Sequence, residues 1–441
     1  MGERCDVLII GGGGTALRAA IAAYESAPDL AITLVTKGAL GASGVTATSC
    51  SDRMAFHATL PTTEPGGPDA WRLHADDIYR IGGRVSDSDL AEVLARDAGE
   101  AFAYLDRLGV PWARREDGQV DQFVTDGSQY ARACYTGPRT ANHIEAALLS
   151  HLRELPIRLL EHHLVAELLL DASRRRVVGA ALVAEEDDRL TALAAGAVVI
   201  ATGGAGQAFA VNVFPPDCTG DGYALAYRAG AELVNLEFIQ IGLSSLETKL
   251  ACSGSMMRAL PRLVNDRDQE ILPRYLPGSR AEQLATLFAK GASWPVSNEE
   301  PSHAIDIAVA AEIAAGHCVY LDYSRDPEGL ERTALAPSLG RWFSEAKGLD
   351  LAGPDMDTPL ARLLAINRPS VDWLEERGVL LRRGHRLALA PAVQHFQGGV
   401  KIRLVGDTDL AGLYAAGEAA GGQHGADRPG GNALMDCQVF G

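Results

Sequence analysis

An α/β fold is predicted by three features of the 441-residue chain. Residues 7–35 alternate an apolar β-like run, a small-residue helical stretch and a second β-like run. The turn between the first two is all glycine, Gly11-Gly12-Gly13-Gly14. From about residue 247 to 370 the texture changes to short pieces broken by Pro261, Pro273, Pro277, Pro295 and Pro301, which predicts a second domain inserted into the first.

The elements follow from local pattern. Residues 7–10 form a buried-type strand, 15–24 a helix and 31–35 a strand, giving a βαβ opening. Residues 89–108 and 140–155 carry apolar positions at helical spacing. Residues 158–170 and 177–185 read as strands joined by the polar turn 171–176, a hairpin or meander feeding a strand at 197–201. Within the proline-broken interval, 280–290 and 304–315 are helical patterns. Gly and Ala return in 412–441. The predicted domains are residues 1–240, an inserted domain at 241–370, and 371–441 completing the first. Two domains suit the length, since single cores stop growing near about 250–300 residues.

Composition excludes several function classes. At 47% hydrophobic and 22% charged residues the chain is globular, not disordered or fibrous. Its 57 acidic against 40 basic residues leave a formal charge of −17, which offers no field for phosphate backbones, so nucleic acid is not an expected partner. The seven cysteines form no CxxC pair, which argues against a disulfide framework or a metal centre and for a reducing, cytoplasmic setting. No apolar run reaches the roughly 18–20 residues that span a bilayer. Any membrane association is expected to run through a partner.

The glycine turn fits GxGxxG/A at Gly11, Gly13 and Ala16. Gly11 permits the tight turn, Gly13 and Gly14 let backbone approach a pyrophosphate, and Ala16 keeps the helix close to the sheet in a Rossmann-like arrangement. The second strand ends in Val35-Thr36-Lys37, where an acid usually receives a ribose hydroxyl. With that acid absent, the ribose contact falls to Thr36 or main chain. Lys37 reads either as a phosphate neighbour or as a solvated loop charge.

Four further segments occur in order: Val198-Val199-Ile200-Ala201-Thr202-Gly203-Gly204, Thr219-Gly220-Asp221-Gly222, Gly412 to Glu418 ending Ala415-Ala416-Gly417-Glu418, and His424-Gly425-Ala426-Asp427-Arg428-Pro429-Gly430-Gly431-Asn432-Ala433-Leu434. Together they resemble the flavoprotein subunits of succinate dehydrogenase and fumarate reductase, and L-aspartate oxidase. The resemblance spans nearly the whole chain and implies a Rossmann-like FAD-binding domain with an inserted α+β capping domain, the active site lying between them. It assigns cofactor contacts to Ser43, Gly44, Ala166, Ala201, Thr202, Gly203, Asp221, Glu418, Arg428, Asn432, Ala433 and Leu434, beside Gly11, Gly13, Gly14, Ala16, Thr36 and Lys37. Gly44 stands where the family's covalent-flavin histidine stands, so FAD is expected to be noncovalent.

The implied chemistry is hydride exchange between the flavin and a carbon next to a carboxylate. Arginine suits carboxylate binding because its planar fork pairs bidentately. Arg428 holds the place of the family's HGANR arginine and is the expected clamp. Arg258 aligns loosely with the proton-transfer arginine, with Arg262 or a structural ion pair as competitors. Two dicarboxylate histidines are missing: Gly242 occupies one position, and Gln394 the other with His395 one place late, unless a local slip restores His395 as a proton-transfer candidate. Cys50 replaces a glycine near the substrate face and reads as a substrate neighbour or an inert buried thiol.

These losses point away from ordinary succinate and fumarate turnover. The expected activity is an FAD-dependent oxidoreductase acting on a small carboxylate, with Arg258, Arg428 and His395 as catalytic candidates and no metal. Alternatives are an L-aspartate-oxidase-like enzyme and a degenerate flavoprotein subunit serving as a structural or electron-relay partner. An iron–sulfur or other electron-transfer subunit is a partner that the resemblance leaves open.

Overall fold

The strand Glu3–Ile10 occupies the middle of a seven-stranded sheet, and its Leu8, Ile9 and Ile10 are buried as a strand covered on both faces requires. The computed structural model describes residues 3–52, 54–125, 128–252, 254–293, 296–297, 300–332 and 337–441. Across the sheet the order is Arg158–Leu160, Ile32–Val35, Glu3–Ile10, Leu190–Ile200, Val177–Ala184 and His163–Leu170, with Leu413–Ala415 also parallel to the end of Leu190–Ile200. The helix Gly14–Ser26 makes the crossover between the first two parallel strands. Its buried Ala16, Ala20 and Ile21 pack toward Leu34 and the helix Thr140–Leu152.

Differences from expectation have local causes. Residues 158–170 form two strands because His162, at φ 56°, turns the chain from parallel pairing with Ile32–Val35 to antiparallel pairing with Val177–Ala184. The strand expected at 197–201 begins at Leu190, since its first half pairs with Val177–Ala184 and its second half with Glu3–Ile10. The helix expected at 89–108 is Ser88–Arg107, started by the Asp87 carboxylate accepting from the Asp89 and Leu90 N–H groups.

A second sheet is antiparallel throughout, in the order Ile239–Ser245, Leu387–Phe396, Val319–Asp322, Arg262–Asn265. It shares a core of Leu243, Leu263, Leu321, Leu387 and Leu389 with the helices Arg280–Lys290 and His303–Ala314. Ser279 and Glu282 close a capping box at the first of these helices. The sheet draws strands from both sides of residue 370. At its edge Gln240 pairs with His395 but Ile241 pairs with Val393, so Gln394 is the extra residue of a β-bulge.

Candidate active site

A cavity of about 1150 Å³ runs from the glycine turn to the second sheet. At the turn, Gly11 has φ 133° and an added Cβ would lie 2.1 Å from the Ala201 carbonyl oxygen, so only glycine fits between the adjacent strand ends. The Gly14 N–H donates to Thr46 Oγ1 at 3.1 Å, pinning the helix start. Thr202 Oγ1 is buried there without a protein partner among the described residues. Bare backbone, a helix N-terminus and an unmatched hydroxyl make a cradle that suits a dinucleotide pyrophosphate.

Of the residues singled out in the sequence, Gly11, Gly13, Gly14, Thr36, Lys37, Ser43, Gly44, Ala201, Thr202, Gly203, Asp221, Glu418, Ala433 and Leu434 line the cavity, and so do Arg258, His395 and Arg428. Lys37 reaches Asp221 at 2.5 Å and Thr219 Oγ1 at 2.5 Å. Three residues lie behind the wall. Ala16 is in the core, and the Ala166 carbonyl accepts from Arg228. The Asn432 side chain turns onto two histidines, its Oδ1 lying 2.9 Å from His57 Nδ1 and 3.2 Å from His74 Nε2.

At the other end of the cavity Gln240, Gln394, His395 and Arg428 come together. The bulge explains why consecutive Gln394 and His395 both line it: strict alternation would send one of them to the opposite face. Gly242 is buried in the strand opposite Ala392, away from the wall. Cys50 also lines the cavity, and burial pushes its thiol up to about 12, so it is held as an unreactive thiol. Arg262 is committed elsewhere, to Asp322 at 2.8 Å, Asp268 at 3.1 Å and Glu270 at 3.2 Å.

Burial governs the site's charges. It lowers the His395 imidazole well below its usual range, reinforced by the Arg428 guanidinium and His424, so the ring is neutral. Burial lowers Arg428 as well, with the Glu418 and Asp427 carboxylates opposing. The Glu418 carboxyl is raised to about 7 by burial, although the Phe396 and Gly204 N–H groups pull it back. Arg258 lies over the Trp342 ring at 4.7 Å and 5.8 Å from that of Phe288, within reach of a cation–π contact.

Sequence reasoning missed Thr46, Gln240 and Trp342. The signal for Gln240 was its place two residues before Gly242, in the strand where a substrate histidine was expected and absent. Nothing local marks Trp342, whose helix Pro337–Lys347 meets Arg258 only in the tertiary fold. Among the described residues no group of three or more His, Cys, Asp or Glu could hold a metal ion, and no helix is long and apolar enough to cross a membrane.

The chain matches the FAD binding domain family over residues 6–434. It is 30% identical over 447 residues to a fumarate reductase (CoM/CoB) subunit of Methanothermobacter marburgensis, an alignment covering 99% of this chain and 71% of that protein. L-aspartate oxidase of Nostoc sp. is 29% identical over 439 residues, covering 99% of this chain and 66% of the oxidase. Among solved structures, E. coli quinol fumarate reductase superposes with a TM-score of 0.72 at 24% identity, over 100% of this chain and 69% of that one, a likeness of fold.

Proposed function

The chain belongs to the FAD-binding family that holds the fumarate reductase flavoprotein subunits and L-aspartate oxidase, as an FAD-dependent oxidoreductase, and from that premise we propose that it exchanges a hydride between noncovalent FAD and a small carboxylate-bearing molecule. The observation that carries this reading is the convergence of Arg428, His395 and Arg258 on the cavity that begins at the glycine cradle. Bound FAD supplies the two-electron carrier; Gly11, Gly13, Thr202, Glu418 and Asp221 are the residues that would hold it. Gly44 has no side chain with which to form a flavin bond.

Arg428 is the carboxylate clamp. It is 9% exposed, and a guanidinium in so dry a place gains most from a bidentate anion. His395, neutral and lining the cavity, can hold or pass a proton there. Arg258 stays charged on its aromatic seat and stabilises developing negative charge rather than acting as a free base. An L-aspartate-oxidase-like activity is the second reading, supported by the Nostoc relative. An iron–sulfur or other electron-transfer partner, suggested by a relative whose name makes it one member of a complex, belongs to the same proposal.

The test is the visible absorption of the FAD-loaded protein under anaerobic conditions as small carboxylates are added one at a time. Bleaching by any of them is the expected result. A bound flavin that no carboxylate reduces or perturbs would favour a partner subunit without turnover.

A further inference from the structure

The helix that carries Arg258, Gly254–Arg258, is five residues long, too short to hold its own place. It is gripped by Asp52, in the loop that follows the short helix Val45–Thr48. The Ser255 N–H donates to Asp52 Oδ2 at 2.7 Å, and the Ser255 hydroxyl donates to the same oxygen at 2.9 Å. A carboxylate on a first-turn N–H meets one of the donors a helix leaves without a partner, and it complements the positive end of the helix dipole. Gly254, at φ 46°, lets the backbone come this close, since an added Cβ would clash with Asp52 Oδ2.

A third segment closes the junction at Asn367, where the helix Pro359–Glu375 kinks just before Pro369. Asn367 Nδ2 donates to the Asp52 carbonyl at 2.9 Å and to Ser255 Oγ at 3.2 Å, and the Ser370 hydroxyl donates to the same carbonyl at 3.1 Å. Donors and acceptors match: Ser255 Oγ donates to the carboxylate and accepts from the amide, whose two N–H groups are both used. Asp52, Ser255, Asn367 and Ser370 are all buried. The Arg258 stem is seated against Gly291, where a Cβ would lie 2.6 Å from Arg258 Cγ. At the other end of the Asp52 segment, Thr46 accepts from the Gly14 N–H at the glycine cradle. Residues 46–52 thus reach from the cradle to the base of the Arg258 helix.

Resting on the function proposed above, we infer that Asp52 is a positioning residue for Arg258: through Ser255 it fixes the short helix that seats Arg258 in the cavity wall, in register with the cofactor cradle. Asp52 acts on the reaction through Arg258 and not by touching the substrate. A displacement of about 1 Å in such a group is enough to cost up to about a hundredfold in rate.

A double-mutant cycle on the FAD-loaded protein tests this, read as binding of malonate and propionate by perturbation of the flavin band and as anaerobic flavin reduction by the carboxylate that bleaches the wild type. Asp52→Ala should weaken binding or slow reduction about tenfold or more, but less than about twofold beside Arg258→Ala, which removes the group that Asp52 positions. Asp52→Asn keeps an acceptor for Ser255 and should recover most of the loss. No loss in Asp52→Ala, or equal losses in both backgrounds, overturns the inference and leaves the carboxylate reading standing. If no carboxylate binds or reduces the flavin, that reading fails, and the positioning is decided by the near-ultraviolet circular dichroism of Trp342, taken as the difference from Trp342→Phe. Asp52→Ala should then lose the Trp342 signal as Arg258→Ala does, and an unchanged signal overturns the inference. If Asp52→Ala does not fold, the same cycle with Ser255→Ala decides, at an expected loss of about threefold that disappears beside Arg258→Ala.

Discussion

The Lys37 ammonium lies 2.5 Å from the Asp221 carboxylate, tying the end of the second parallel strand to a helix that starts 184 residues later. The acid that the strand end lacks is thus brought from elsewhere in the chain, across the cavity that the glycine turn opens. Both side chains remain partly exposed, so the pair is a modest clasp.

Lys37→Ala should therefore weaken FAD binding by a few-fold only, consistent with about 0.2–1 kcal/mol for such pairs. Wild-type FAD affinity should fall with added salt and that of the variant should fall less. Titration of the FAD-free protein with FAD at low and high ionic strength reads both.

Arg428→Lys and Arg428→Ala should keep the flavin and lose substrate-driven reduction by about a hundredfold or more, since lysine cannot reproduce the bidentate fork. Anaerobic stopped-flow measures the rate and absorbance the flavin content. A variant that loses FAD as well would make Arg428 chiefly structural.

Stability should depend on Glu145, a buried acid on the helix Thr140–Leu152 and outside the cavity wall. Burial raises its carboxyl from 4.5 to about 8, the Gly41 N–H opposing. Between those values the folded protein binds a proton that the unfolded chain releases, so this contribution is full below pH 4.5 and is lost as pH rises through about 8. Glu145→Gln should remove that slope and stabilise the protein at alkaline pH by about 2–4 kcal/mol at most. Urea unfolding of both proteins across the range measures it.

Asn432→Ala should destabilise the protein by about 1–3 kcal/mol, because it strands two buried imidazoles. Thr125 Oγ1 lies 2.7 Å from His57 Nε2 and 2.8 Å from the Gly430 carbonyl oxygen, so the same network steadies the Gly430-Gly431 turn. A looser turn should show as weaker FAD retention on gel filtration together with a lower Tm.

The parallel sheet and its glycine turn were legible because they are written locally: an apolar run, four glycines, a small-residue helix. The ordered later segments extended that reading to most of the cavity wall. What escaped was fixed by pairing between distant segments. Nothing near His395 announces that Gln394 is the residue of a bulge, since the extra residue is defined only against Gln240 and Ile241. Asn432 sits in a cofactor-binding segment, yet its side chain is claimed by His57 and His74, which lie 375 and 358 residues away. Trp342 is invisible for the same reason: its partner is Arg258, on another helix.

The residues at the far end of the cavity come from two separately built bodies. Gln240, Gln394 and His395 ride on the antiparallel sheet, whereas Arg428 belongs to the segment that follows Leu413–Ala415 on the parallel one. The Gln240 amide, through Asp427 and the Arg428 carbonyl, is a stitch between them. A displacement of the antiparallel sheet would carry the imidazole away from the guanidinium and strip that amide of its anchors together. Seating of one body on the other therefore sets the His395 imidazole and the Arg428 guanidinium in place together.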